Sequence, residues 1–506
     1  MGEQAKADGP DFARGVKLAD IAEGASLSGR VGDEPVLLSK IDGSLFAVSA
    51  TCTHYGGDLA KGLARGASVR CPLHHACFSL RTGEVLRGPA LDPVARWTVE
   101  VEDDRAFVRE KLDTPSREER LKTDVEKVLI VGGGAAGLAC ANRLRKLGYE
   151  GAITILSADR DAPYDRPNLS KDYLAGTAPE EWIPLRSQDW YRKNRIDLRL
   201  GVEVASIDPD TRTVDCSTGE HFAYDRLLLA TGSEPNKLSS PGFERDNVFT
   251  LRSLADARAL AGHARSGARA AVIGSSFIGL EAAAALRHRK VEVEVISPEK
   301  IPFERVLGPE LGAMFKALHE ENGVRFHLGR VAATFDGKLL RLSDGEEISA
   351  DLVLVGIGVK PRIGLAEAAG LTIADGVAVD ACLRTSAPDI YAAGDIAAYP
   401  DPLTGERVRI EHWVVALRQG EVAAENMLGA ETRSDSPPFF WTEQYGLALR
   451  YVGHAPSAED IRVDGNLVSR DATVRYYQEG QQRAAASINR DRENLDDEVR
   501  LEQQAR

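Results

Sequence analysis

Twice along this chain a short apolar run breaks into glycines and then into an alanine-rich stretch, an arrangement that leaves few folds open. The first copy is Lys127-Val-Leu-Ile-Val-Gly132-Gly-Gly134-Ala135-Ala136-Gly137; the second is Ala271-Val-Ile-Gly274-Ser-Ser276-Phe-Ile278-Gly279-Leu-Glu281. In such a unit the first glycine makes the tight strand-to-helix turn. The second lets a pyrophosphate approach the backbone, and the third lets helix and strand pack closely. The helix N-terminus then turns its positive dipole end to the phosphates. A further strand follows each copy, Ala152-Ile-Thr-Ile-Leu156 and Val291-Glu-Val-Glu-Val-Ile296, as a βαβ unit requires. The two units are an internal duplication of motif, not a short-period repeat array. Two dinucleotides are expected.

The second strands end near the acids that would take the adenosine riboses. Asp159 is the candidate after the first. After the second comes Glu299, twenty residues beyond Gly279. A carboxylate there accepts both ribose hydroxyls and repels a 2′-phosphate, favouring NADH over NADPH. Lys300 beside it weakens that preference, and Ser276 in place of the middle glycine narrows the pyrophosphate approach.

Upstream, Cys52-Thr-His54 is followed after sixteen residues by Cys71-Pro-Leu-His74. Each loop supplies one thiolate and one imidazole. In a Rieske-type [2Fe–2S] centre two cysteines hold one iron and two histidines the other. Tetrahedral zinc is the rival, although zinc modules usually pair Cys with Cys and His with His at short spacing. Chance placement of two unrelated loops is the third reading.

Composition narrows the class. The chain has 506 residues, 43% of them apolar and 28% charged, with 63 Lys and Arg against 77 Asp and Glu for a net charge of −14. That balance disfavours nucleic acid and acidic membranes as partners. No run approaches the roughly 20 apolar residues of a membrane span, and the opening residues show no secretory pattern. A soluble, cytoplasmic protein is expected. The six cysteines form no Cys-x-x-Cys and no disulfide scaffold.

Residues 30–110 resemble a Rieske ferredoxin domain, on the two ligand boxes, the Phe78–Gly83 hairpin and the Gly88-Pro89-Ala90-Leu91 loop. Respiratory Rieske proteins carry a disulfide pair where this chain has Gly57 and Leu73. They also offer serine and tyrosine hydroxyls to the cluster sulfurs where it has Ala76 and Phe78. The resemblance therefore implies a potential at the low end of the Rieske range, around −150 mV. His75 sits where the family commonly has glycine. It is expected at the surface with an altered local backbone, and Cys77 as a small core residue.

Residues 127 to about 455 resemble the FAD-dependent pyridine-nucleotide reductases of the ferredoxin-reductase and apoptosis-inducing-factor-like branch. The matching segments are Pro163-Tyr-Asp-Arg166-Pro-Asn-Leu-Ser-Lys171, Ala230-Thr231-Gly232, Leu251-Arg252, Ala392-Ala-Gly394-Asp395, Ile410-Glu411-His412-Trp413 and Phe440-Trp441. The resemblance implies a flavin and nucleotide site that also includes Val204 and Gly358, with Asp395 on the ribityl chain. It further implies that Lys171 and Glu281 meet near flavin N5, as the catalytic pair. The wider cysteine pair of a flavin disulfide reductase is missing, which removes a dithiol route.

The expected architecture is multidomain. An all-β Rieske domain (1–112) and a linker (113–126) precede two α/β Rossmann-like dinucleotide-binding domains. These are an FAD-binding domain (127–250 and 376–432) and an NAD(H)-binding domain (251–375). A small α+β C-terminal reductase domain (433–506) completes the chain, its charged last segment read as a solvated helix or a frayed tail. The linker would let the Rieske domain swing. NADH supplies two electrons together and a [2Fe–2S] cluster takes one at a time, so the flavin between them converts one regime to the other. The leading expectation is an oxidoreductase running NADH to FAD to Rieske cluster to an external protein or small-molecule acceptor. The alternative is an NADH-sensing flavoprotein whose redox state controls shape or association. Homodimer formation is left open.

Overall fold

The computed structural model of the chain describes residues 7–112 and 123–505, so most of the expected linker lies outside the described residues. The N-terminal part is antiparallel β-structure because its apolar residues alternate. In the strand Glu34–Ile41, Val36 and Leu38 turn to a core with Phe12 and Trp97, while Leu37 and Ile41 turn to the core beneath the cysteine loops. Its main sheet has the order Val16–Lys17, Arg105–Leu112, Arg96–Glu102, Ser44–Ser49, Glu34–Ile41, Ser26–Val31. A smaller sheet of Leu63–Arg65, Ser68–Arg70, Cys77–Ser79 and Val85–Arg87 carries the second ligand box between its two middle strands.

The duplication extends beyond the motif to whole sheets. Lys127–Val131 is the centre of a parallel sheet ordered Ile196–Leu200, Ala152–Ser157, Lys127–Val131, Arg226–Leu229, Ile390–Ala392. Arg269–Ile273 holds the same place in Val324–Leu328, Glu292–Ser297, Arg269–Ile273, Leu352–Val355, Val248–Phe249. Each parallel sheet is accompanied by a three-stranded antiparallel sheet, starting at Val204 and at Ala332. Five buried parallel strands need near-continuous apolar runs, and Val-Leu-Ile-Val and Leu-Val-Leu-Val supply them.

The C-terminal part is a five-stranded antiparallel sheet, Phe439–Gln444, Leu447–Gly453, Gln481–Ile488, Asp471–Gln478, Asp460–Asn466, followed by the helix Asp491–Gln504. That helix is neither solvated nor frayed. Asn494, Leu495, Asp497, Glu498, Val499 and Leu501 are buried, and Leu495 and Val499 pack on Leu63 of the N-terminal part. Its buried charges, Asp497 and Glu498, are met by arginines and not by water. The N-terminal part is accordingly docked against the rest of the molecule. No helix among the described residues is long and apolar enough to cross a membrane.

Candidate functional site

The two ligand boxes are loops with the same backbone plan. The Cys52 N–H donates to Gly57 O at 2.9 Å and the Gly56 N–H to Cys52 O at 3.0 Å. Likewise the Cys71 N–H donates to Ala76 O at 2.8 Å and the His75 N–H to Cys71 O at 3.1 Å. The superposable turns bring like to like. The Cys52 and Cys71 thiols lie close enough to perturb each other's ionisation, and His54 Nδ1 lies 3.1 Å from His74 Nδ1.

Two nitrogens on one tetrahedral metal, each bound at 2.0–2.1 Å, stand about 3.3 Å apart, so the imidazole pair is already spaced for a shared iron. Burial pushes His54 down to about 3 and His74 well below its ordinary value, leaving both neutral as ligation requires. Among the described residues no three His, Cys, Asp or Glu side chains converge on one metal position. A pair of thiols and a separate pair of imidazoles is the donor set of a two-iron centre, and it fits zinc poorly.

A β-carbon built on Gly57 would lie 2.9 Å from the Leu73 side chain and 2.9 Å from Cys71 Sγ. The positions that the respiratory proteins' disulfide would occupy therefore face each other and are filled by leucine packing. Ala76, Phe78 and Cys77 are all buried. His75 departs from its expectation. It is fully buried, and its φ of 61° keeps the loop conformation that Gly56 adopts at 74°. The backbone does not change; the histidine accepts a conformation better suited to glycine.

A cavity of about 1010 Å³ lies between the two parallel sheets and the C-terminal sheet. Gly132, Gly134, Ala135, Ala136, Asp159, Arg166, Lys171, Val204, Ala230, Thr231 and Gly232 line it, with Arg252, Ser276, Ile278, Glu281, Gly358, Asp395, His412, Trp413 and Trp441. A β-carbon on Gly134 would meet nothing within 4 Å, so the backbone there is open to a phosphate. Gly137 and Gly279 are not in the lining; a β-carbon added at either would lie 2.0 and 2.2 Å from the carbonyl oxygens of Gly132 and Gly274, so only glycine lets each helix pack this close to its strand turn. Gly274 makes the second turn, beside Gly356 O. Glu299 stands off the cavity, hydrogen-bonded by Ser297 with Arg305 at 3.7 Å. His412 Nδ1, Arg166 Nε and Arg252 Nε are buried without a protein partner, which marks the wall as awaiting ligand oxygens and nitrogens. Among the described residues, no cysteine lines the cavity.

Lys171 and Glu281 meet at the cavity wall, Nζ to Oε2 at 2.7 Å. Glu281 is fixed from two further sides, accepting from Ser170 Oγ at 2.5 Å and from Thr442 Oγ1 at 2.7 Å. Thr442 in turn accepts from Gln444 Nε2 at 3.0 Å. Arg252 and Asp395 form a second ion pair in the cavity wall. From the cavity, Trp441 reaches the cluster loops: its ring lies 4.0 Å from the His74 ring and 6.3 Å from that of His54. Tyr55 stacks on His54 at 4.1 Å and hydrogen-bonds Asp165, whose carboxyl burial pushes up to about 6. Sequence reasoning missed Ser170, Thr442 and the docking residues Arg418, Arg450 and Glu498. Only Arg418 left a signal, as a charge set among the buried apolar residues of the helix Trp413–Met427.

A two-thiol, two-imidazole centre facing a flavin-sized dinucleotide cavity defines a flavin- and pyridine-nucleotide-dependent oxidoreductase with a built-in Rieske [2Fe–2S] domain. The chain belongs to the Pyridine nucleotide-disulphide oxidoreductase family, which it matches over residues 126–420. A Rieske [2Fe-2S] domain matches 14–98 and a Reductase C-terminal domain 439–503. Among curated proteins it is 34% identical over 494 residues to Apoptosis-inducing factor 3 of Homo sapiens, covering 94% of this chain and 81% of that one. It is 38% identical to the Anthranilate 1,2-dioxygenase system ferredoxin--NAD(+) reductase component of Burkholderia cepacia, over 71% of this chain and 90% of that one. Among solved structures, the covalent putidaredoxin reductase–putidaredoxin complex matches with a TM-score of 0.73 and 34% identity, over 76% of this chain and 94% of that one.

Proposed function

We propose that this oxidoreductase takes hydride from NADH at its flavin and passes the electrons singly to its own Rieske cluster, from which an external acceptor collects them. The observation that carries the reading is the contact of Trp441, a cavity residue, with His74, a cluster ligand candidate, at 4.0 Å between rings. The names of several relatives pair a reductase with a ferredoxin; here the first acceptor is part of the same chain. FAD supplies the exchange between two-electron and one-electron chemistry.

The protein's residues do the rest. The cradles at Gly132–Gly137 and Gly274–Gly279 bind the pyrophosphates, and Asp395 and Arg252 meet the flavin. Lys171, held by Glu281, sets a positive charge where hydride arrives. Cys52 and Cys71 would hold one iron, and His54 and His74 the other. Glu299 selects NADH, and the docked partner of the cluster is a redox protein or small molecule without nucleic-acid character.

Anaerobic stopped-flow mixing with stoichiometric NADH tests the route. Flavin bleaching should be followed by cluster reduction, and a His54→Ala, His74→Ala variant should keep the first phase and lose the second entirely. A flavin that reduces and then persists as a charge-transfer complex, never reaching the cluster, favours the sensing alternative. A second expectation concerns the potential. With Ala76 and Phe78 giving the sulfurs no side-chain hydroxyl, a redox titration should place the cluster near about −150 mV. Ala76→Ser with Phe78→Tyr should raise it by on the order of 100 mV, since added donors stabilise the reduced cluster. A parent potential well above 0 mV would contradict this account.

A further inference from the structure

We propose that the C-terminal helix Asp491–Gln504 is a clamp that sets the second ligand loop of the Rieske domain against the reductase, with Glu498 at its centre and His75 as the side chain it grips. This rests on the electron route proposed above. The starting observation is the choice of residue at position 75. The two ligand loops share one backbone plan, and at the corresponding place the first uses glycine, with φ 74° at Gly56, while His75 has φ 61°. Left-handed backbone favours glycine, so a histidine there needs a compensating contact.

The compensation lies wholly across the domain boundary. The His75 ring stacks on Phe439 with centroids 4.0 Å apart, and Nδ1 is 3.1 Å from Glu498 Oε2. Glu498 is fully buried and gathers cations from both sides. Arg70 of the Rieske part donates to it at 2.9 Å, and Arg418 of the reductase lies at 3.2 Å. Arg418 also donates to His75 O at 3.2 Å and to Gly88 O at 3.3 Å, and Arg450 donates to Leu73 O at 3.0 Å. The carbonyls on both sides of His74 are therefore held by reductase arginines. Glu502 adds a bidentate pair to Arg70, at 3.0 and 2.7 Å. The position of the His74 ring relative to Trp441 is thus set from the reductase side, by charges that lose their partners if the domain leaves.

His75→Gly separates this role from local stability, because glycine suits the loop and only the contacts across the boundary are lost. In the holoprotein its cluster spectrum and the rate of flavin bleaching by NADH should match the parent. Amide exchange over residues 71–76 and 86–91 should rise about tenfold, and the flavin-to-cluster phase should slow about tenfold, as misplacement of reacting groups does. Glu498→Gln, which keeps the shape and removes the charge, should move both readouts the same way. Unchanged exchange in both variants would overturn the clamp, as would faster exchange with an unchanged second phase. If NADH never reduces the parent's cluster, the route fails instead, and the exchange measurement alone decides the clamp.

Discussion

Lys171→Met should slow flavin bleaching by NADH by about 100-fold at saturating nucleotide, with the flavin still bound. Lys171 is the cation nearest the point of hydride arrival in the proposed route, and its Nζ also donates to Pro167 O at 3.2 Å, so its position is fixed before substrate enters. A preorganised charge costs no rearrangement when negative charge develops on the flavin, which is why its loss falls on the chemical step. The variant carries a second consequence. Glu281 is only 4% exposed, and without Lys171 it is a buried carboxylate served by two hydroxyls. Leaving such a charge unpaired costs about 3–5 kcal/mol, so the melting temperature should fall.

Adding Glu281→Gln separates the two effects. A neutral amide oxygen can still accept from Ser170 or Thr442, so stability should recover while the rate stays low. Stopped-flow bleaching and a thermal melt on the parent, the single and the double variant decide it. A single variant within about threefold of the parent rate would remove Lys171 from the chemistry.

The features legible in the sequence were those whose chemistry needs particular residues at short spacing. The two glycine cradles, the cysteine and histidine boxes and the apolar parallel strands are local patterns, and the structure builds each where its pattern lies. What stayed hidden depends on residues far apart in the chain. His75 was read as a surface side chain because nothing near it shows that Phe439 and Glu498, more than 360 positions later, enclose it. The last helix looked solvated because Leu495 and Val499 make only a thin apolar stripe among its charges. Of its buried acids, Glu498 is met by Arg70 and Arg418 from outside the C-terminal part and Asp497 by Arg475 of a neighbouring strand, and no periodicity reports a salt bridge. The family resemblance placed Lys171 beside Glu281; the supports from Ser170 and Thr442 became visible only when three segments met.

The same contrast fixes the second large effect. Gly420→Ala should destabilise the protein by about 3 kcal/mol or more and release flavin. Gly420 lies in the helix Trp413–Met427, which packs on the cradle helix Ala135–Lys146. A β-carbon at Gly420 would sit 2.2 Å from Ala136 O and 3.0 Å from the Ala136 Cα. Backbone inside a helix cannot step aside, so the two helices must separate. Their separation reaches three sites at once. Ala136, Trp413 and Ala416 line the cavity, Gln419 accepts the Gly394 N–H at 2.8 Å beside Asp395, and Arg418 holds the Rieske loops. Gly262→Ala is the control. It is also a helical glycine, in Leu254–His263, but its added β-carbon meets nothing within 4 Å. Alanine should there stabilise by up to about 1 kcal/mol through helix propensity. Flavin content after gel filtration and a thermal melt read both variants. Equal flavin retention in the two would show that the helix contact yields, and that the cradle does not depend on how closely Trp413–Met427 approaches it.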